Sequence, residues 1–311
     1  MKRSWSASIL TLAVSLGAPA QPPVPPQARV VAIAGLLSGS TIVPLAQFVA
    51  GRWVRTWPTP DDEETDRKIA SMARIPHAWY PVRGGIPKEW FVWSDEIRGA
   101  PVSVKGPTLD GAHCQGVWGL ATRLTAFGHE TTAIATNTQS GVRPFGLDVG
   151  PSWDAQLNRF LREQFDGAEI AAIRTTRKDA DAVLAQRSAC EPTFLSHCVQ
   201  LAGGDELCAF GASRVLGTRP DEAFPECLDQ TVVQGWYRIT TAGPALLQIS
   251  GTVTDCDAKG FRDVTPAILI EVDGRTFVVA KEHGYEDESF AVFELRATEL
   301  VQVLAIPGGG C

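Results

Sequence analysis

The stretch AILIEVDGRTFVVA, Ala267 to Ala280, places two runs of apolar and β-branched residues around Asp273-Gly274. Asp-Gly is a preferred residue pair at the centre of the two-residue type I′ turn, which joins neighbouring antiparallel strands. A third run, FAVFELR, follows after the polar segment HGYEDES. The last part of the chain is therefore predicted to be an antiparallel meander.

A second hairpin is predicted just upstream, in TVVQGWYRITTAGPALLQISGTVTDC. Its strands are expected over about 231–239 and 245–254, with Gly and Pro at the reversal. If Ile239 faces Ala245, counting outward along the antiparallel pair places Cys227 almost opposite Cys256. Facing residues are close enough for a disulfide, which needs Cα atoms roughly 4.4–6.8 Å apart. We therefore predict a Cys227–Cys256 bond at the open end of this hairpin.

The chain has seven cysteines, and no pair has the C-x-x-C spacing typical of zinc or redox sites. A hairpin around Gly203-Gly204 would bring Cys198 within a residue or two of Cys208, although FLSHCVQL could instead be helical. Elimination leaves Cys114 and Cys190 as a third pair. Cys311, after PGGG, remains as an odd thiol. Disulfides rather than metal ligands are expected.

The first part of the chain is also predicted to be antiparallel β-structure. ARVVAIAGLLSGSTIVPLAQFVAGRWVRTW is typical of a three-strand meander, with turns at 38–40 and at Ala50-Gly51. A strand is expected at Trp90–Trp93. HCQGVWGLATRL and TTAIATNT, separated by TAFGHE, predict another hairpin.

Helix is predicted most clearly in the middle of the chain. One apolar helical face is formed by residues at i, i+4, i+7, i+8 and i+12, namely Trp153, Leu157, Phe160, Leu161 and Phe165. Ser152 is a candidate N-cap and Gly167 a candidate stop. A second helix is expected in RKDADAVLAQRSA, and the intervening GAEIAAIRT fits either helix or strand.

These patterns predict an α+β protein that is mostly β. Antiparallel meanders and hairpins flank a central helical segment, and disulfides link them. The Trp-rich β region is expected over 29–150, the helical segment over 151–190 and the Cys-containing β-meander region over 191–311. The two β regions can form one globular unit.

The chain begins with the layout of a secretory signal peptide. Lys2 and Arg3 precede an apolar run, and Ala18-Pro19-Ala20 is a small-x-small cleavage site, so 1–20 is the expected leader. The run is too short to span a bilayer, which needs roughly 20 apolar residues. A polyproline linker is expected over 21–28. We predict an exported protein, periplasmic or extracellular, without a membrane span.

The charge of the chain bears on its partners. Loss of Lys2 and Arg3 takes the formal net charge from −7 to −9, and no run of basic residues is present. An acidic protein without a basic patch is a poor match for nucleic acid or an anionic membrane.

Tryptophans are concentrated in the first β region. Trp53, Arg55 and Trp57 alternate along a predicted strand and therefore share one face. The first interpretation is a core edge, with Arg55 between the two rings by cation–π contact. The second is an exposed platform for sugar rings or a peptide, to which Trp90 and Trp93 would also belong.

Other candidate chemistry is weak in this sequence. DCDAKGFRD matches a calcium loop at Asp255, Asp257 and Gly260, but Lys259 and the lack of the last Glu oppose metal binding. Cys114 has His113 beside it, but strand neighbours point to opposite faces. No cofactor motif is present.

The polar segment KEHGYEDESF gathers carboxylates that could act on a glycoside, or that are simply solvated. No nucleophile–base pair or metal set emerges from the chain. The sequence therefore favours a non-catalytic envelope or extracellular binding or accessory protein, with a glycan or an envelope protein as partner. The alternative is an exported hydrolase that acts on a polysaccharide or peptide polymer through these loop carboxylates.

Overall fold

The computed structural model describes residues 31–36, 41–55, 86–94, 96–110, 117–123, 133–148, 155–187, 191–216, 229–255, 260–285 and 287–310. The expected leader and linker lie outside these residues. So do Trp57 and five of the cysteines: Cys114, Cys190, Cys227, Cys256 and Cys311. The predicted Cys227–Cys256 and Cys114–Cys190 bonds therefore stay predictions.

Strands make up most of the described chain, and two helices lie between them. The first group of strands is β1 (Val31–Leu36), β2 (Thr41–Val49), β3 (Arg52–Arg55), β4 (Glu89–Trp93), β5 (Arg98–Asp110), β6 (Val117–Thr122), β7 (Ile134–Thr136), β8 (Val142–Pro144) and β9 (Gly146–Asp148). The helices are α1 (Ala155–Thr176) and α2 (Ala180–Gln186). The second group is β10 (Thr193–Gln200), β11 (Glu206–Val215), β12 (Gln230–Thr240), β13 (Gly243–Thr254), β14 (Asp263–Val272), β15 (Arg275–His283), β16 (Asp287–Leu295) and β17 (Leu300–Gly310).

The first seven strands form a barrel. They are ordered β1-β7-β4-β5-β6-β2-β3, and β1 also pairs with β2, so six strands close into a ring and β3 extends β2 outside it. Every pairing is antiparallel. Closure removes the sheet edges of the six ring strands.

Two five-stranded antiparallel meanders follow. The outer sheet has the order β13-β12-β11-β10-β9, and the central sheet has the order β17-β16-β15-β14-β8. The short strands β8 and β9 are almost continuous in sequence, and each adds a strand to a different sheet. The region 29–150 therefore contributes to all three sheets.

The central sheet is buried on both faces. One face packs on the barrel through residues such as Ile270 and Phe277, and the other packs on the outer sheet through Leu269 and Val278. Alternate residues of one strand thus enter two different cores, which explains why AILI and FVVA are continuously apolar.

Helix α1 covers the far face of the outer sheet, where Leu161 and Phe165 pack with Phe210 and Tyr237. The order of layers is therefore barrel, central sheet, outer sheet, helix. The predicted stop at Gly167 is wrong, because α1 continues to Thr176 and includes GAEIAAIRT. The buried residues Glu169, Ala172 and Ile173 carry the inward face past the glycine.

The local turn predictions agree with the structure. Ala50 and Gly51, and likewise Asp273 and Gly274, have positive φ between paired strands, as a type I′ turn requires. The predicted hairpin of HCQGVWGLATRL with TTAIATNT is wrong, because β6 pairs with β5 and β2 whereas β7 pairs with β1 and β4. Closure of the barrel places β7 between two strands from earlier in the chain.

The fold class is therefore confirmed as mostly β, antiparallel and disulfide-linked. Two corrections apply to it. The helical segment is a minor part of the described residues, and a barrel is present that the sequence did not predict.

The structure confirms one disulfide, Cys198–Cys208, and resolves the helix–strand ambiguity of FLSHCVQL in favour of strand β10. The two cysteines face each other directly across β10 and β11, with Cα atoms 4.2 Å apart. In the β12–β13 hairpin, Ile239 faces Pro244 rather than Ala245, and a bulge after Trp236 shifts the register. Among the described helices, none is long and apolar enough to cross a membrane.

Candidate binding cleft

The tryptophans that sequence analysis considered for a ligand platform are buried wherever the structure describes them. Trp53, Trp90 and Trp93 are at most 7% exposed. Trp53 packs edge-on against Phe48 and Phe277 between the barrel and the central sheet. Because they are buried, these three rings present no face on which a ligand could lie.

Two of these indoles are also held by internal hydrogen bonds. Trp90 donates to the Pro87 carbonyl oxygen at 3.0 Å, and Trp93 donates to Thr136 Oγ1 at 2.8 Å. Arg55 is half-buried at the end of β3, and Trp57 lies outside the described residues. Arg275 makes cation–π contacts in this core: its guanidinium lies 4.9 Å from the Phe277 ring centre and 5.8 Å from that of Phe48.

A cleft opens between the outer and central sheets. It has a volume of about 190 Å³. The outer sheet lines it with Ala209, Phe210, Gln234, Gly235, Trp236, Gln248 and Ser250, and the central sheet lines it with Val264, Glu282, Phe293 and Gln302. We call this feature the inter-sheet cleft.

Strand register places the polar and aromatic groups of the outer sheet together. Trp236 faces Gln248 across β12 and β13, and Gln234 faces Ser250 in the same way. Directly facing residues, and residues two apart on one strand, share a face of the sheet. One side of the cleft therefore carries an indole, two amides and a hydroxyl group.

The apolar base of the cleft comes from rings of both sheets. Trp236 and Phe293 have ring centres 6.1 Å apart, and Phe145 meets Trp236 edge-on at 6.2 Å. These contacts fix the position of the indole.

Gln234 is locked by the start of β14. Its amide nitrogen donates to the Arg262 carbonyl oxygen, and its amide oxygen accepts from the Val264 N–H, each at 3.1 Å. Both ends of the side chain are thus used, so Gln234 shapes the cleft and holds the two sheets together there.

Glu282 is the carboxylate of the cleft, and its side chain is only 13% exposed. Its Oε2 accepts a hydrogen bond of 2.8 Å from the Ser289 hydroxyl and lies 3.8 Å from Arg262 Nη1. Arg262 also donates to Ser289 Oγ at 2.6 Å and pairs with Asp287.

Several polar groups around the cleft have no hydrogen-bond partner among the described residues. Within the part of the chain that the structure describes, the side chains of Gln248, Ser250 and Gln302 make no hydrogen bond, and neither does Glu282 Oε1. The first three are exposed at the mouth of the cleft. Water or a ligand can therefore satisfy these donors and acceptors.

The loop carboxylates considered for acid–base chemistry are divided between the two faces of the central sheet. Glu282 and Asp287 both contact Arg262. Glu282 and Ser289 face the cleft, whereas Glu288 bonds to Lys281 at 2.9 Å and His283 at 3.5 Å, on the other face of the central sheet. Hydrogen bonding from His283, with a further contribution from Lys281, lowers the pKa of Glu288 from 4.5 to about 2. Glu286 lies outside the described residues.

The other chemical candidates gain no support from this structure. Asp257 and Lys259 of the calcium-like loop lie outside the described residues, as do His113, Cys114 and His129. A group of possible metal ligands is formed by Cys198, Glu206 and Cys208. Because its two sulfur atoms are joined in a disulfide, they are not available as thiolate ligands.

The cleft residues are not predicted from the sequence, although a signal for some of them is present in it. The predicted β12–β13 hairpin carried Gln234 and Trp236 on one face of one strand, with Gln248 and Ser250 on its partner. The pattern does not indicate which residues form the other side of the cleft. Glu282, Phe293 and Gln302 come from strands that meet the hairpin only in the folded stack of sheets.

Comparison with known proteins does not assign the cleft: no protein-family model, no curated protein and no solved structure matches this chain.

Proposed function

We propose that this is an exported, non-catalytic binding protein, and that the inter-sheet cleft binds one sugar unit of a glycan. The observation that carries the proposal is the lining of the cleft. An indole and a phenyl ring form its base. Around them lie the side chains of Gln248, Ser250 and Gln302 and one carboxylate oxygen of Glu282, which have no hydrogen-bond partner among the described residues.

The size of the cleft favours a single ring. A cavity of roughly 150 Å³ accommodates a benzene molecule, and the cleft measures about 190 Å³. Ligand sites combine an apolar lining with a few polar groups that fix orientation. A sugar ring matches this arrangement, because its C–H faces pack on aromatic rings while its hydroxyl groups donate and accept hydrogen bonds. A protein partner would require a broader surface.

The carboxylate count favours binding over hydrolysis. Most glycoside hydrolases use two carboxyl groups roughly 5 to 10 Å apart, one on each side of the bond that breaks. Among the described residues that line the cleft, Glu282 is the only carboxylate, and Ser289 and Arg262 occupy its Oε2. The hydrolase alternative therefore has less support than binding.

The disulfide is consistent with export. Cystine persists in oxidising compartments and is rare in the cytosol of most cells, and Cys198–Cys208 is a cross-strand bond in the outer sheet. Together with the leader expected over 1–20, it supports placing the protein in the periplasm or outside the cell.

A glycan array, followed by titration of the bound glycans with tryptophan fluorescence as the readout, tests the proposal. We expect the wild-type protein to bind, with a change in the emission of Trp236, and the double variant Gln248→Ala/Ser250→Ala to bind at least tenfold more weakly. Gln200→Ala is the matched control, because Gln200 is an exposed strand glutamine of the same sheet outside the cleft. Absence of binding to every glycan, or equal weakening by the control, would refute the proposed function.

A further inference from the structure

The inter-sheet cleft has one ionisable group among its described lining residues, and that group is Glu282. The other polar groups of the lining are amides and one hydroxyl group, which accept and donate without preference for the charge of a ligand. The charge preference of the cleft therefore depends on Glu282 and on the groups that contact it.

The two carboxylate oxygen atoms of Glu282 have different surroundings. Oε2 accepts from Ser289 and lies 3.8 Å from Arg262, whereas Oε1 has no partner in the described part of the chain. One carboxylate oxygen is thus held in place by the protein, and the other remains available to a hydrogen-bond donor in the cleft.

The nearby arginine does not neutralise the site. Arg262 pairs with Asp287 as well as approaching Glu282, so one positive charge faces two carboxylates and leaves a net charge of −1. A carboxylate that is largely removed from water interacts with an opposite charge more strongly than an exposed one does. A cationic hydrogen-bond donor at Oε1 would bring the net charge of this group to zero.

We infer that the sugar recognised by the inter-sheet cleft is an amino sugar, with its ammonium group bound to Glu282 Oε1. This inference rests on the proposed function and adds the class of sugar to it. A neutral hydroxyl group at the same position gives a weaker hydrogen bond, and a uronic acid places two carboxylates side by side.

The test compares four methyl β-glycosides that differ in one substituent: those of glucosamine, glucose, N-acetylglucosamine and glucuronic acid. Fluorescence or calorimetric titration of the wild-type protein gives the four affinities. We expect the glucosamine derivative to bind about tenfold more tightly than the two neutral ones, as for a hydrogen bond between charged groups, and the glucuronic acid derivative to bind most weakly.

Glu282→Gln identifies the residue responsible. It is expected to remove the advantage of the glucosamine derivative over the glucose derivative, so that the ratio of the two affinities falls from about ten to about one. Glu206→Gln is the matched control, since Glu206 lies at the start of β11 and does not line the cleft. If Glu282→Gln fails to fold, the four-ligand series on the wild-type protein still decides the matter.

The outcomes separate the two levels of the proposal. If the neutral sugars bind and the amino sugar has no advantage, the inference is overturned while the binding function stands. If the preference exists but survives in folded Glu282→Gln, the assignment to Glu282 is overturned. If none of the four sugars binds, the inference falls, while the glycan array decides separately whether the cleft binds any sugar.

Discussion

Glu169 is a fully buried carboxylate on helix α1, and it is held by two arginines. Its Oε2 lies 3.0 Å from Arg214 and 3.1 Å from Arg187, and its Oε1 accepts a hydrogen bond of 2.8 Å from Thr231. Arg214 in turn lies over the ring of Phe165. The cluster joins α1 and Arg187, the residue after α2, to strands β11 and β12 of the outer sheet.

Replacement of this carboxylate should be costly. Removing one partner of a buried ion pair leaves an uncompensated charge, so Glu169→Gln is expected to lower the free energy of unfolding by about 3 kcal/mol. Urea unfolding measures the change. Glu191→Gln is the control, because the ion pair of Glu191 with Arg162 is exposed and its loss should have little effect. Equal effects of the two substitutions would contradict this role for Glu169.

Glu288 gives the fold a dependence on pH. Its pKa in the folded protein, about 2, is below the ordinary 4.5 because His283 and Lys281 bond to the ionised form. A depressed folded-state pKa stabilises the protein above the unfolded value, and this contribution is lost as the pH falls from about 4.5 towards about 2. Wild-type protein should therefore lose stability in that window.

The variant Glu288→Gln isolates this contribution. It should be less stable than wild type near neutral pH, and the difference should shrink as the pH falls through the window, because both side chains are then uncharged. Urea midpoints measured from neutral to acidic pH provide the check, with Glu163→Gln on the exposed side of α1 as control. A difference from wild type that stays constant with pH would count against this account of Glu288.

At the scale of elements, helix α1 continues past Gly167, a residue type that often ends helices. Gly167 was predicted to end the helix, as glycine often does in a left-handed C-terminal cap. In the structure it is an exposed interior position, and nothing lies within 4 Å of a Cβ built there. Burial of Glu169 and Ile173 beyond it outweighs the low helix propensity of one glycine.

Because Gly167 lies inside helix α1 rather than at its end, its replacement by alanine should stabilise the protein. Gly167→Ala should raise the free energy of unfolding by about 1 kcal/mol, because alanine is the better helix former. If Gly167 were instead a left-handed cap, alanine would destabilise the protein. Thermal or urea unfolding distinguishes the two, and Ala171→Gly, exposed on the same helix, should give a loss of similar size.

At the scale of the whole molecule, the central sheet lies between two other layers. Leu269 of the central sheet is completely buried against the outer sheet. Leu195 of the outer sheet, in contrast, is 50% exposed. The same substitution at these positions therefore tests the layer order directly. Leu269→Ala should cost about 3 kcal/mol, as for a core leucine, and Leu195→Ala should change stability by less than about 0.5 kcal/mol.

The shared cores also predict how the molecule unfolds. The first core cluster contains barrel residues such as Ile33 together with central-sheet residues such as Phe277. The central sheet contributes residues both to the core shared with the barrel and to the core shared with the outer sheet. The substitution Leu269→Ala should therefore lower the stability of the barrel as well. Tryptophan fluorescence, which includes the buried barrel indoles, and far-UV circular dichroism should report the same midpoint in wild type and in Leu269→Ala. Two separated transitions would argue against this coupling.

The amino-acid sequence by itself determined the parts of this protein that depend on close neighbours along the chain. Asp273-Gly274 and Ala50-Gly51 specify hairpin turns through their backbone conformations, and strand alternation brought Cys198 and Cys208 together. Only the tertiary structure decided which strands from distant parts of the chain meet. It placed β7 between β1 and β4, buried Trp53 under the central sheet, and set Glu282 opposite Trp236. The physical reason is that turn and strand preferences act over a few residues, whereas barrel closure and the stacking of sheets depend on how apolar faces cover one another across the whole molecule.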